Sequence, residues 1–169
     1  SNNTAVGYQA GYSNATGTNL TTLGYQAGYA STGGYLTAVG LDAARNTTTG
    51  TDIVAVGDRA LRTNTTGGSN TAIGGLALYS NTTASYNTAV GYQAGYSTTT
   101  GGTDTGYNVF IGDRAGYNNT KDRQTFVGAG AGYYITTGTK NTILGGYNGN
   151  QGGLDIRTAS NYIVLSDGD

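Results

Sequence analysis

Residues 87–96 read Asn87-Thr88-Ala89-Val90-Gly91-Tyr92-Gln93-Ala94-Gly95-Tyr96, and the chain opens on nearly the same words, Asn3-Thr4-Ala5-Val6-Gly7-Tyr8-Gln9-Ala10-Gly11-Tyr12. Aligning the whole chain on the first glycine of this phrase gives a register of Gly7, Gly24, Gly40, Gly57, Gly74, Gly91, Gly112, Gly128 and Gly145. Their spacings are 17, 16, 17, 17, 17, 21, 16 and 17 residues. A degenerate last copy at 162–169 reads Tyr162-Ile163-Val164-Leu165, with Ser166 at the glycine position. A sustained period near 17 marks stacked units, each too small to bury its own apolar face, rather than a globular domain. No linker divides the chain, so 1–169 reads as one solenoid segment and is expected to belong to a longer fibre protein.

Each column of the repeat has a physical meaning. The residue before the register glycine is always aliphatic: Val6, Leu23, Val39, Val56, Ile73, Val90, Ile111, Val127 and Leu144. Two before it stand Ala5, Thr22, Ala38, Ala55, Ala72, Ala89, Phe110, Phe126 and Ile143, and three before it Thr or Val. This is a short β-branched run bounded by Gly and Asn, the signature of a strand. Alternation puts the aliphatic column on one face with Thr and the Ala/Phe column on the other. The invariant aliphatic column is expected to be the structural core, buried in every rung. With apolar residues on both faces, the second face asks for a partner surface. The simplest partner is the same chain, with a homotrimer the favoured form.

After the glycine, Ala10, Ala27, Ala43, Ala60, Ala77, Ala94, Ala115 and Ala131 fill one column, which implies a close approach that excludes larger side chains. Two positions on stand Tyr12, Tyr29, Tyr79, Tyr96, Tyr117 and Tyr133, with Arg45 and Arg62 in the same column. Rungs about 4.8 Å apart stack such rings into a ladder, in which a flat guanidinium can replace a ring. The fold predicted is therefore all-β, a parallel β-solenoid or β-roll of nine to ten rungs.

Composition agrees and excludes several functions. Gly, Thr, Asn and Tyr make up more than half of the 169 residues, while Leu, Ile, Val and Phe are too few for a thick aliphatic core. Such poverty suggests disorder only when net charge is high, and here it is −1. Without His or Cys there is no imidazole base, no thiolate nucleophile and no ordinary zinc site. Charge balance leaves no electrostatic footprint for nucleic acid, and no apolar run approaches a membrane span. No cofactor is expected, and no enzymatic activity.

The copies Asn3–Gly11 and Asn87–Gly95 resemble repeats of phage tail fibres and related extracellular fibres. More distantly they resemble the head repeats of trimeric autotransporter adhesins, whose unit is shorter. The closing Asn161-Tyr162-Ile163-Val164-Leu165-Ser166-Asp167-Gly168-Asp169 is similar to the segment that ends such repeats ahead of a chaperone domain. The resemblance implies a trimeric parallel β-roll on an extracellular or virion surface, with a structural or adhesive role.

Other signals are weaker. Gly128-Ala129-Gly130-Ala131-Gly132 lies in the repeat frame without the Lys-Ser/Thr of a phosphate loop. Asp58-Arg59 and Asp113-Arg114 read as surface ion pairs. Gly101-Gly102-Thr103-Asp104 and Gly152-Gly153-Leu154-Asp155 faintly echo calcium turns and read better as loop insertions. Sequons at Asn2, Asn14, Asn19, Asn46, Asn64, Asn81 and Asn118 are possible glycosylation sites in a suitable host. The functional expectation is a non-catalytic fibre shaft that associates with itself. The alternative is an adhesin that binds a cell-surface glycan or receptor through its loops, and a further one is an ice-binding β-solenoid.

Overall fold

In the computed structural model, which describes residues 2–99 and 106–167, every Thr-Ala-Val phrase is a strand. The first nine are β1 (Thr4–Val6), β2 (Leu20–Leu23), β3 (Leu36–Val39), β4 (Ile53–Val56), β5 (Thr71–Ile73), β6 (Thr88–Val90), β7 (Val109–Ile111), β8 (Thr125–Val127) and β9 (Thr142–Leu144). A short antiparallel hairpin, β10 (Asn150–Gln151) and β11 (Leu154–Asp155), interrupts the array before β12 (Ile163–Leu165). β1 to β9 and β12 form one parallel sheet in chain order. Like pairs with like along it: Thr71 with Thr88, Ala72 with Ala89, Ile73 with Val90.

The rest of each rung is turn, and it too bonds to the neighbouring rung. Gly11 N donates to Ala27 O at 2.9 Å, Leu78 N to Ala94 O at 3.0 Å and Ser80 N to Tyr96 O at 3.0 Å. Backbone groups that a globular core could not satisfy are therefore paired along the stacking axis. The register glycines make the corner where strand becomes turn. Gly57 has φ +135, and a Cβ there would come within 2.6 Å of the carbonyl group of Gly74 in the next rung. Only a residue without Cβ permits both that dihedral and that approach.

The core runs opposite to the expectation for the aliphatic column. Ala38, Ala55, Ala72, Ala89, Phe110, Phe126 and Ile143 are completely buried, as are Ala27, Ala43, Ala60, Ala77, Ala94, Ala115 and Ala131 across from them. Val6, Leu23, Ile73, Ile111 and Leu144 are exposed, and Val39, Val56, Val90 and Val127 are half-buried. The column expected as core thus points outward, together with Thr. The reason is the thinness of the coil. Strand and facing turn approach so closely that most rungs pair Ala with Ala here, and a larger interior side chain such as Leu61, Phe110 or Ile143 enters at one column at a time while the aliphatic column stays outside.

Bulk inside is traded between columns rather than added. Leu61 and Leu78 fill the turn column where the strand carries Ala55 and Ala72. Gly116 and Gly132 occupy that turn column where the strand carries Phe110 and Phe126, and a Cβ on Gly132 would lie 2.5 Å from the Phe126 ring. At Gly95 a Cβ would meet both Phe110, at 2.6 Å, and Leu78, at 2.9 Å. The Phe rings therefore fit because the facing turn column gives up its side chain.

Two buried polar ladders complete the interior. At the start of the strands Asn70, Asn87, Asn108, Gln124 and Asn141 are all fully buried. Each side-chain oxygen accepts from the next rung: Asn87 N to Asn70 Oδ1 at 3.0 Å, Asn108 N to Asn87 Oδ1 at 3.2 Å, Gln124 N to Asn108 Oδ1 at 2.9 Å. Along the far turn, Asn81 Nδ2 reaches Asn64 Oδ1 at 3.1 Å and Ala84 O at 3.0 Å. Buried amides are stable only when paired in this way.

Candidate functional site

The outer face of the ten-stranded sheet is the most regular surface of the molecule. It presents two columns, Thr (or Val54, Val109 and Ile163) and aliphatic, over all ten rungs. Neither column holds a charged residue. Parallel pairing spaces like side chains about 4.8 Å apart, so the face is flat and repetitive for about 40–45 Å. Val6 is 55% exposed, Leu144 44% and Leu165 75%. An uncharged apolar stripe of that length is unusual for a surface that meets only water.

A second edge carries the tyrosine ladder. Tyr12 stacks on Tyr29 with centroids 5.3 Å apart, and Tyr79, Tyr96, Tyr117 and Tyr133 follow one another at 5.2, 5.0 and 5.1 Å. Between these runs Arg45 lies over Tyr29 at 5.4 Å, and Arg62 Nη1 donates to the Tyr79 hydroxyl at 3.3 Å. The guanidinium substitution read from the sequence is therefore realised. Sequence reasoning missed what makes two adjacent arginines tolerable: Asp42, which lies 3.5 Å from Arg45 Nε and 3.1 Å from Arg62 Nε. Asp42 has a positive φ of 54, in the column that holds Gln9 and Gln26 in earlier rungs. Burial, then the phenols of Tyr117 and Tyr79, hold the Tyr96 hydroxyl above the usual tyrosine range.

The sequons separate by position. Asn64 and Asn81 are fully buried with their amides committed to the interior ladder, so the folded chain offers no acceptor there. Asn14 and Asn118 use their amides on Gly17 O at 3.3 Å and Tyr133 O at 2.9 Å. Asn2 and Asn19 are exposed, and Asn46 is half-buried.

The remaining motifs find structural places. Gly128 is a register corner, and Gly130 and Gly132 occupy left-handed turn positions with φ 68 and 63. Asp58 and Arg59 make an exposed contact of 3.8 Å. Arg114 Nε donates to Gln93 Oε1 at 3.3 Å. Gly152 and Gly153, with φ 58 and 83, form the two-residue turn of the β10–β11 hairpin. Gly101-Gly102-Thr103-Asp104 lies outside the described residues. Among the described residues no three acidic, His or Cys side chains gather to hold a metal ion, and no helix is long and apolar enough to cross a membrane. No known protein family, curated protein or solved structure matches the chain.

Proposed function

We propose that this chain is a non-catalytic shaft segment of an extracellular or virion fibre, and that it assembles with copies of itself through the Thr/aliphatic sheet face. One observation carries the reading: the aliphatic column is retained in every rung although this chain alone leaves it outside. A solvent-facing column has no folding reason to exclude charge nine times running. A column covered by another chain does, because burying an unpaired charge costs several kcal/mol. A homotrimer closes such a face symmetrically, consistent with the resemblance to fibre repeats. Covering the stripe at about 25 cal/mol per Å2 of apolar area, repeated over ten rungs, is a large driving force.

Val90→Asp tests this. The substitution lies on the outer face, so the rungs themselves should still form, and the parallel-sheet signal in circular dichroism should persist. Assembly should fall apart, because the charge would be desolvated at the interface. A variant that assembles as well as the parent would overturn the reading.

The same outward-facing Thr column, exposed at Thr4 and Thr21 and half-buried elsewhere, favours a second reading, an ice-binding plane, for which a flat face of regularly spaced hydroxyls and methyls is the requirement. The two diverge in one observation. A shaft segment leaves ice crystals unshaped, whereas an ice-binding face would facet them as a free single chain.

A further inference from the structure

The repeat is broken in one described place, and a cleft opens there. The hairpin Asn150–Asp155 bulges out of the ninth rung, closed at its base by Ile156 N donating to Gly149 O at 2.9 Å. In the rung before it, Tyr134 stands in a column that holds Ser80, Ser97 and Asn118 in earlier copies. Its ring does not join the tyrosine ladder. It meets Tyr133 at 4.9 Å and 81°, and it is 49% exposed. Between Tyr134 and the hairpin lies a cleft of about 450 Å3, lined also by Asn118, Thr136, Asp155, Arg157 and Thr158.

The polar wall is pre-organised and neutral. Asp155 Oδ1 accepts from Arg157 N at 3.1 Å and Nε at 3.0 Å, and Oδ2 accepts from Nη2 at 2.7 Å. The Arg157 carbonyl in turn accepts from Thr136 N at 2.9 Å, which fixes the pair to the rung below. This pairing uses two of the five guanidinium donors and one of the two lone pairs of Oδ2. An acceptor and several donors therefore stand side by side at fixed spacing, next to the Thr158 hydroxyl, while the Thr136 hydroxyl donates to the Arg157 carbonyl at 3.3 Å and the Asn118 amide to Tyr133 O at 2.9 Å. The charges cancel, so an anionic ligand gains little here and a cation finds its carboxylate occupied. Beside that wall is one aromatic plate.

We infer that this cleft binds a neutral saccharide, with a pyranose ring laid on Tyr134 and its hydroxyls bridging Asp155 Oδ2 and the Arg157 guanidinium. A pyranose has both halves of the required chemistry: a face of C–H groups that packs on an aromatic ring, and hydroxyls that donate and accept at once. The volume falls in the range of small-molecule sites and admits one or two sugar rings. The opening is wide and the wall half exposed, so a single site should bind in the millimolar range. All six residues belong to one chain, so the site does not depend on how many chains assemble.

Amide NMR titration of the full chain tests the inference. The probes are the methyl glycosides of glucose, galactose, mannose, fucose, rhamnose, N-acetylglucosamine and N-acetylgalactosamine, each raised to tens of millimolar, with N-acetylneuraminic acid as the acidic comparison. At least one neutral sugar should give saturable shifts at Tyr134, Thr136, Asp155 and Arg157. Tyr134→Ala and Tyr134→Leu should each weaken that binding at least tenfold while the rung amides keep their positions. Asp155→Asn should weaken it comparably, and Tyr86→Ala, which removes a ring stacked on Tyr107 at 4.7 Å and outside the cleft lining, should leave it unchanged. Absence of saturable shifts with every neutral sugar would overturn the inference. So would preference for the acidic sugar, or binding that survives Tyr134→Leu.

Discussion

In the first half of the rod the three interior columns carry Leu36 and Ile53 at the strand start, Ala38 and Ala55 at mid-strand, and Ala44 and Leu61 across from them. In the second half the same columns carry Asn108 and Gln124, then Phe110 and Phe126, then Gly116 and Gly132. The backbone follows the change. Ile53 N donates to the Tyr35 carbonyl at 3.0 Å, whereas Asn108 N turns to the Asn87 side chain at 3.2 Å. A rung needs a roughly fixed interior volume, and any of the three columns can supply it. In the second half Phe supplies it from mid-strand, beside a strand-start amide ladder that already begins at Asn70 and Asn87, next to Ala72 and Ala89. The two halves are thus alternative fillings of one backbone frame.

The largest effect should come from putting the first half's residue into the second half's frame. Gly116→Leu copies Leu61 and Leu78 but collides with the Phe110 ring, and should cost about 3–5 kcal/mol in denaturant unfolding. Phe110→Ala alone should cost about 3–5 kcal/mol through the cavity it leaves. The double variant should recover at least about 2 kcal/mol of the sum, since each change makes room for the other. Strictly additive costs would mean that the columns do not exchange volume.

A smaller effect sharpens the chemical half of the comparison. Asn108→Leu brings the first half's side chain into the amide ladder and strands Gln124 N, which bonds Asn108 Oδ1 at 2.9 Å. About 2–3 kcal/mol should be lost, against roughly 1 kcal/mol for Ile53→Val, which breaks no hydrogen bond. Equal losses would show the ladder to be inert.

The gentlest test uses pH. The Tyr96 hydroxyl lies above the ordinary tyrosine value of 10.0, chiefly through burial and then through its neighbours in the ladder. A raised value in the fold favours the neutral ring. Its stabilisation is complete below the unfolded value and is lost as pH rises through the folded one. Above pH 10 the melting temperature should fall as tyrosinate absorbance at 295 nm rises. Hydrogen exchange should accelerate first around Tyr79–Tyr133, where four rings run unbroken, and later around Arg45 and Arg62. A flat melting temperature through the titration would contradict this.

Much of the frame was legible in the sequence, because a solenoid writes each rung's environment into a column. Thr88-Ala89-Val90-Gly91 gave strand, register and corner, and Tyr79, Tyr96, Tyr117 and Tyr133 gave their ladder. Which face is the core was not legible. Both faces of the strand are apolar, and constancy of the aliphatic column looks the same whether a neighbouring rung or a neighbouring chain demands it. The signal for the answer was the Ala column facing another Ala column, the only pair small enough for the close approach. The strand-start amides were visible too, four residues before the register glycine at Asn70, Asn87, Asn108, Gln124 and Asn141, but they read only as the boundary of the strand. Only the stacking that satisfies them shows that they are buried. The cleft at Tyr134 was not legible at all, because it forms where the period fails and the hairpin folds back.

The central claim is that the outward aliphatic column exists to be covered by other copies of the chain. Light scattering on the purified segment at neutral pH measures this directly. The mass expected is that of three chains, or of a filament built from them. A stable species at 17.1 kDa, the mass of a single chain, would contradict it.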